Sequence, residues 1–215
     1  GYERSESTTT GLPFADISIA DAWISAAYTR RFEQSQLSFS LGLRAGNADA
    51  LGTSATEGSF WLLYGQASYL RPLGPSLFYE ANLRYQYAPD QNLPVARLFS
   101  VGGVGSVRGY PSNIRSGDSG VVLNQQLSLR DPVRLGQHIT ARPFVFFDAA
   151  VVLPFRTSGG FDNDQDLLAS VGAGVTLSVK ERFNLVAMVG VPLQDTLGFN
   201  DSGKAQFYVG SDIRF

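Results

Sequence analysis

Along residues 77–87, Leu77, Tyr79, Ala81, Leu83, Tyr85 and Tyr87 alternate with Phe78, Glu80, Asn82, Arg84 and Gln86. Successive side chains of a strand point to opposite faces, so this stretch has one apolar face and one polar, charged face. Its length suits a tilted strand crossing a bilayer, which takes roughly 9–11 residues. The alternation recurs at 37–45, 123–130, 138–149, 169–179 and 183–193, and more noisily at 14–31 and 58–71. The closing segment AQFYVGSDIRF sets Phe207, Val209, Ile213 and Phe215 against Gln206, Tyr208, Asp212 and Arg214. The pattern predicts about nine strands, and no segment carries a helical period. Ser5 to Thr10 (SESTTT) reads as a polar loop.

Period two alone also fits a soluble sandwich or a lipocalin-like barrel. The polar faces decide against those. They hold Arg44, Arg84, Arg130, Arg142, Glu80, Asp148 and Asp212, a set suited to a hydrated lumen in which charges pair. Connection lengths also alternate. Short turns such as RRFEQSQ, RPLGP, RDPVRLGQ and KERF take turns with long, glycine- and polar-rich segments. That habit belongs to outer-membrane barrels, with short periplasmic turns and long extracellular loops. The predicted fold is all-β, an antiparallel transmembrane β-barrel of the bacterial outer membrane. An odd strand count counted back from a periplasmic Phe215 puts Gly1 on the extracellular side. Nine strands alone would leave unpaired edges in lipid, so residues 1–215 are expected to be the C-terminal portion of a larger barrel.

Composition narrows the chemistry. A formal charge of −2 gives no reason to expect nucleic acid, and the positive charge is almost all arginine. There is no cysteine, hence no thiolate chemistry in this stretch. His138 is the single histidine and has no serine at a recognisable spacing, so no catalytic residue and no cofactor are predicted. The carboxylates of FDNDQD, residues 161–166, lack the glycine and distal glutamate of an EF-hand loop and read as a solvated acidic loop.

Residues 89–119 form a connection of about 30 residues between two confident strands, far beyond the usual 4–6. Leu93, Val95, Leu98, Phe99, Val101, Val104, Val107 and Tyr110 give it an apolar side, so it is expected to fold and pack in a protected place. Its stretch FSVGGVGSVRGYPS holds one cation, Arg108, among Gly102, Gly103, Gly105 and Gly109. A phosphate-binding loop would need a lysine and a following helix, and neither is present.

GGVGSVRGY resembles the VRGY/F signature of the outer-membrane transporters of two-partner secretion, the TpsB or haemolysin-activator type, and of their BamA-type relatives. A second family signature, F-x-D-x-G, is matched at Phe146 and Asp148, with Ala150 standing where the motif has glycine. Gln126 stands where many relatives have glutamate, which weakens any reading of a carboxylate there. The resemblance implies the last nine of about sixteen strands, with upstream strands and periplasmic POTRA domains outside this chain. It implies a lumen-inserted loop over 89–119, with Gly102, Gly103, Val107, Arg108, Gly109 and Tyr110 as its motif and Arg108 meeting Asp148. Phe215 resembles the C-terminal assembly signal read by the barrel assembly machinery. The implied function is export of a large, unfolded partner protein without ATP, in contact with outer-membrane lipids and lipopolysaccharide. Two other readings remain open here: an assembly factor for other barrels, and the membrane anchor of an upstream enzyme.

Overall fold

The computed structural model describes residues 2–9, 12–51, 58–89, 93–153, 167–180, 182–196 and 202–213, with side chains from Ser18 onward except those of Ala50 and Leu51. Five strands precede the long connection: β1 (Tyr2–Thr9), β2 (Leu12–Arg31), β3 (Gln36–Leu51), β4 (Gly58–Leu73) and β5 (Leu77–Tyr87). Within the connection lie two short strands, β6 (Phe99–Val101) and β7 (Arg115–Gly117). Then come β8 (Ser119–Leu129), the two-residue β9 (Val133–Arg134), β10 (Ile139–Leu153), β11 (Leu167–Val179), β12 (Phe183–Pro192) and β13 (Gln206–Ile213). One antiparallel sheet runs in the order β1-β2-β3-β4-β5-β8-β10-β11-β12-β13, with β9 pairing on β10 and β6 with β7 forming a separate hairpin. Among the described residues no pairing joins β1 to β13, so the sheet is an open wall.

The strand pleat sorts the side chains by face. Phe39, Leu41, Leu43, Val145, Phe147, Phe207 and Val209 stand exposed on one side, a spread that suits lipid and not water. Gln125 falls on that apolar face, where its amide oxygen accepts a hydrogen bond of 2.7 Å from the Tyr79 hydroxyl. A polar group facing hydrocarbon needs such a partner. On the other, inner face the register lines up a polar row across the sheet: Thr29, Ser38, Ser68, Asn82, Asn124, Asp148 and Ser170. The long connection packs on this inner face.

Two expectations change. Residues 5–9 are not loop: Tyr2–Thr9 is a strand paired with β2 from Tyr2↔Ala20 to Thr9↔Leu12. Backbone pairing to a long neighbour outweighs the polar composition there, because β2 reaches back to Leu12 and its free edge offers a template. The path therefore has ten strands and not nine, and the open edge lies at β1 and not at the strand read over 14–31. β1 starts at the level of Ala20, midway along β2, and runs toward the Leu12 end, opposite to the direction the odd count implied for the first strand. Arg214, Phe215, Thr53, Thr157 and the 161–166 loop lie outside the described residues.

Turns at 32–35, 74–76, 130–138 and 180–182 share one rim, called lower here, and the long connections share the upper rim. The lower rim should be periplasmic. Single cysteines placed at Ser76 and Gln137 on the lower rim and at Lys204 on the upper one should respond differently to an impermeant maleimide on intact cells. The expected outcome, in the full protein freed of any other cysteine, is labelling at Lys204→Cys alone. Labelling at Ser76→Cys and Gln137→Cys instead would invert the topology.

Candidate functional site

The connection leaves β5 at Ala88, makes a single 3-10 turn over Val95–Arg97, and forms the β6/β7 hairpin before entering β8. Its stem is fastened to the wall by polar contacts. Arg97 Nε lies 2.8 Å from an Asp21 carboxylate oxygen on β2. The backbone N–H of Leu93 donates to Asp118 Oδ1 at 2.5 Å, and Gln86 Nε2 donates to the carbonyls of Arg97 and Asp118 at 2.8 and 3.0 Å. Further down, Phe99, Val101, Val107 and Tyr110 of the connection join Val122, Ala150, Val152 and Leu168 of β8, β10 and β11 in one buried apolar cluster. Each such side chain contributes about 1.5–3 kcal/mol on burial. The loop therefore has a core, and the wall supplies half of it. The methyl of Ala150, which replaces the glycine of the motif, sits inside this cluster 2 % exposed and serves as packing.

Glycine shapes the tip. Gly102, Gly103 and Gly109 have φ of 104°, 82° and 100°, a region that L side chains disfavour. The Gly103 N–H donates to the Tyr110 carbonyl at 3.1 Å and closes the tip on itself. Gly109 also sits against Gly190 of β12: a methyl built on Gly190 would lie 2.7 Å from the Gly109 nitrogen. Gly105 lies outside the positive-φ set and faces open space, so neither strain nor crowding requires glycine there.

This backbone delivers Arg108 to the wall. Its Nε and Nη2 donate to the two oxygens of Asp148 at 2.7 and 2.8 Å, and its backbone N–H donates to the same carboxylate at 3.0 Å. Asp148 is fully buried and the Arg108 side chain is 11 % exposed. The remaining donor, Nη1, reaches the Gln126 amide oxygen at 3.0 Å. A glutamine carbonyl is enough here, so the absence of a glutamate removes no hydrogen bond. The guanidinium lies over the Phe146 ring, 3.7 Å from its centroid. Phe146 in turn lies across Gly172 of its neighbouring strand, where any side chain would meet the ring. Residues i and i+2 of a strand share a face, so Phe146 and Asp148 form a stacking plate beside an acceptor, matched to a planar forked cation.

The neighbours of Arg108 are held as firmly. Val107 is fully buried. Tyr110 is too, and its hydroxyl lies 3.0 Å from the carbonyls of both Ala169 and Gln194, which share its one proton. Asn124 Nδ2 donates to the Ser106 carbonyl. The Tyr208 hydroxyl of β13 accepts from the Gly109 N–H at 2.9 Å and donates to the Tyr110 carbonyl at 3.2 Å. Tyr208, Gly190 and the Arg97–Asp21 pair were not singled out from the sequence. Their only signal was membership of the polar or small-residue face. His138 lies exposed on the lower rim beside Arg134, Lys180 and Arg182, around a cavity of about 1040 Å³. Among the described residues no cluster of His, Asp or Glu could hold a metal.

An antiparallel wall with an apolar outer face, a polar inner face and a long connection docked on the latter is that of an outer-membrane β-barrel. Residues 5–177 match the family model for the haemolysin secretion/activation proteins ShlB/FhaC/HecB, and the chain belongs to that family. In structure it is similar to CdiB from Escherichia coli, with a TM-score of 0.62, 14% identity, and coverage of 97% of this chain and 48% of that one. It is also similar to CdiB from Acinetobacter baumannii, with a TM-score of 0.54, 19% identity, and coverage of 97% and 46%. The chain thus spans about half the length of these solved structures. No curated protein matches it.

If Arg108 and Asp148 form one unit, removing either leaves the other buried and unmatched, at about 3–5 kcal/mol for a buried pair. Arg108→Ala and Asp148→Ala should each raise hydrogen exchange across residues 99–117 in the full protein, and the double variant should match the worse single one. Arg108→Lys should behave like Arg108→Ala, since an ammonium offers neither fork nor stacking plane. Additive losses would show that the two side chains act independently.

Proposed function

We propose that this chain is the C-terminal wall of a translocator that exports a large, unfolded partner protein across the outer membrane without ATP. In this reading the connection over 89–119 docks in the lumen of the closed barrel as a movable plug or lever. The supporting observation is the attachment of its tip to the inner face, through the forked contact of Arg108 with buried Asp148. A loop held on the inner face by a buried ion pair argues against a plain passive pore. The match to the haemolysin secretion/activation family supports export of a partner over insertion of other barrels or service as an enzyme's anchor. The machinery around it would be upstream strands and POTRA domains, the barrel assembly machinery, and outer-membrane lipids with lipopolysaccharide.

The wall is held by strand pairing and the loop by a few side chains, so the two are separable. Arg108→Ala and Asp148→Ala should each reduce export of the partner severalfold at near-normal surface levels of the transporter, with no further loss in the double variant. Secretion assays normalised to surface transporter measure this. Full export by Arg108→Ala would remove the docked loop from the transport mechanism.

A further inference from the structure

Between the connection and the inner wall runs a groove that the Arg108 site does not use. Cavities of about 240, 510 and 430 Å³ lie along it. The first two share Asn82, Gly105 and Asn124, and the last two share Ser40, Gln66 and Arg84, so they adjoin one another along the wall. Its middle is lined by neutral hydrogen-bonding side chains: Thr29, Ser38, Ser68, Asn82 and Asn124. Its ends differ in charge. At the lower end Glu80 accepts from Asn82 Nδ2 at 2.8 Å, near Arg108, which Asp148 already neutralises. At the upper end stand Arg44, Arg84 and Arg97, from β3, β5 and the loop stem.

Arg97 and Arg44 both meet the carboxylate of Asp21, at 2.8 and 3.5 Å. The Arg44 Nε is buried without a hydrogen-bond partner. Arg84 makes no ion pair among the described residues; it donates to the Ser100 carbonyl at 3.1 Å and lies 4.7 Å from the Phe99 ring centroid. Confined cationic groups with unused donors favour an anion that brings acceptors with it.

We propose that this groove binds an extended acidic segment of polypeptide, with an aspartate or glutamate side chain held by Arg84 and Arg44 and the peptide backbone bonded along the polar row. The proposal rests on the export reading for the source of that polypeptide. Glu80 and Arg84 are four residues apart on one strand, about 13 Å, which an extended peptide spans with about four residues. The dipole between the ends would also set its direction, acidic residues toward the upper rim.

The test uses the full-length transporter in nanodiscs with a photo-crosslinking residue at Gln66. The probe is a fluorescent peptide of Asp, Gly and Ser about ten residues long. The expected result is crosslinking that falls as salt rises, weakens about tenfold in Arg84→Gln and is largely kept in Arg84→Lys. Ser40→Tyr, which fills the groove without changing its charge, should block crosslinking as well. A peptide with every Asp changed to Asn should not compete. Equal competition by the Asn peptide, or undiminished crosslinking in both Arg84→Gln and Ser40→Tyr, would overturn the proposal. Inorganic phosphate displacing the probe as well as unlabelled acidic peptide does would reduce the site to an oxyanion pocket and reject the peptide. Because the readout is binding, its failure leaves the effect of Arg108→Ala on export untouched, and the converse also holds.

Discussion

A guanidinium brought inside a protein must be matched on all sides, and the inner face of this wall is built around that demand. Arg108 spends its fork on Asp148, its third side-chain nitrogen on Gln126 and its flat face on Phe146. The partners come from two adjacent strands, β8 and β10, so the site requires their register to be correct to the residue. In the pairing Phe146 faces Gln126 and Asp148 faces Asn124. A slip of one residue would turn both motif side chains toward lipid. Arginine in the loop and register in the sheet are thus one constraint. The glycines follow from it, since only an uncrowded backbone lets Gly109 pass against Gly190 while its neighbour enters the site.

The same parity that exposes Val145 and Phe147 to lipid turns Phe146 and Asp148 inward. One alternation therefore specifies both the membrane contact and the inner chemistry. It also explains how a charged, glycine-rich connection can be as buried as a core. The loop brings Phe99, Val101, Val107 and Tyr110, and the wall answers with Val122, Ala150, Val152 and Leu168, apolar residues on a face that carries a polar row lower down. That local reversal of polarity is what makes the inner face a docking surface at this height.

Much of this was legible in the sequence, for physical reasons. Strands such as Leu77–Tyr87 alternate cleanly because lipid on one side and water on the other leave little choice at any position. Asp148 could be assigned to the inner face by parity alone. Its pairing with Arg108 could not be, and rested on resemblance to a family. Tyr2–Thr9 was misread because its sequence is polar on both faces and its strand state comes from the edge of β2, a tertiary cause. Which glycines of the tip need their φ was not legible, because composition cannot separate Gly102, Gly103 and Gly109 from Gly105. Tyr208 and the Arg97–Asp21 pair were hidden by distance: the first is 99 residues from Gly109 and the second joins residues 76 apart.

The energetics of wall and loop differ in kind. Each strand pair exchanges backbone hydrogen bonds along its length, and in hydrocarbon each lost group costs several kcal/mol with no water to replace its partner. The wall therefore stays intact under any perturbation that leaves the membrane in place. The loop is held by two apolar clusters, one around Val107 and Tyr110 and one around Leu93, by a buried ion pair at its tip and by the Arg97–Asp21 contact at its stem. All of these face the barrel interior, where water or a polar chain can take over their hydrogen bonds. Release of the loop thus costs a limited sum that new contacts can offset, while opening the wall into lipid has no such compensation.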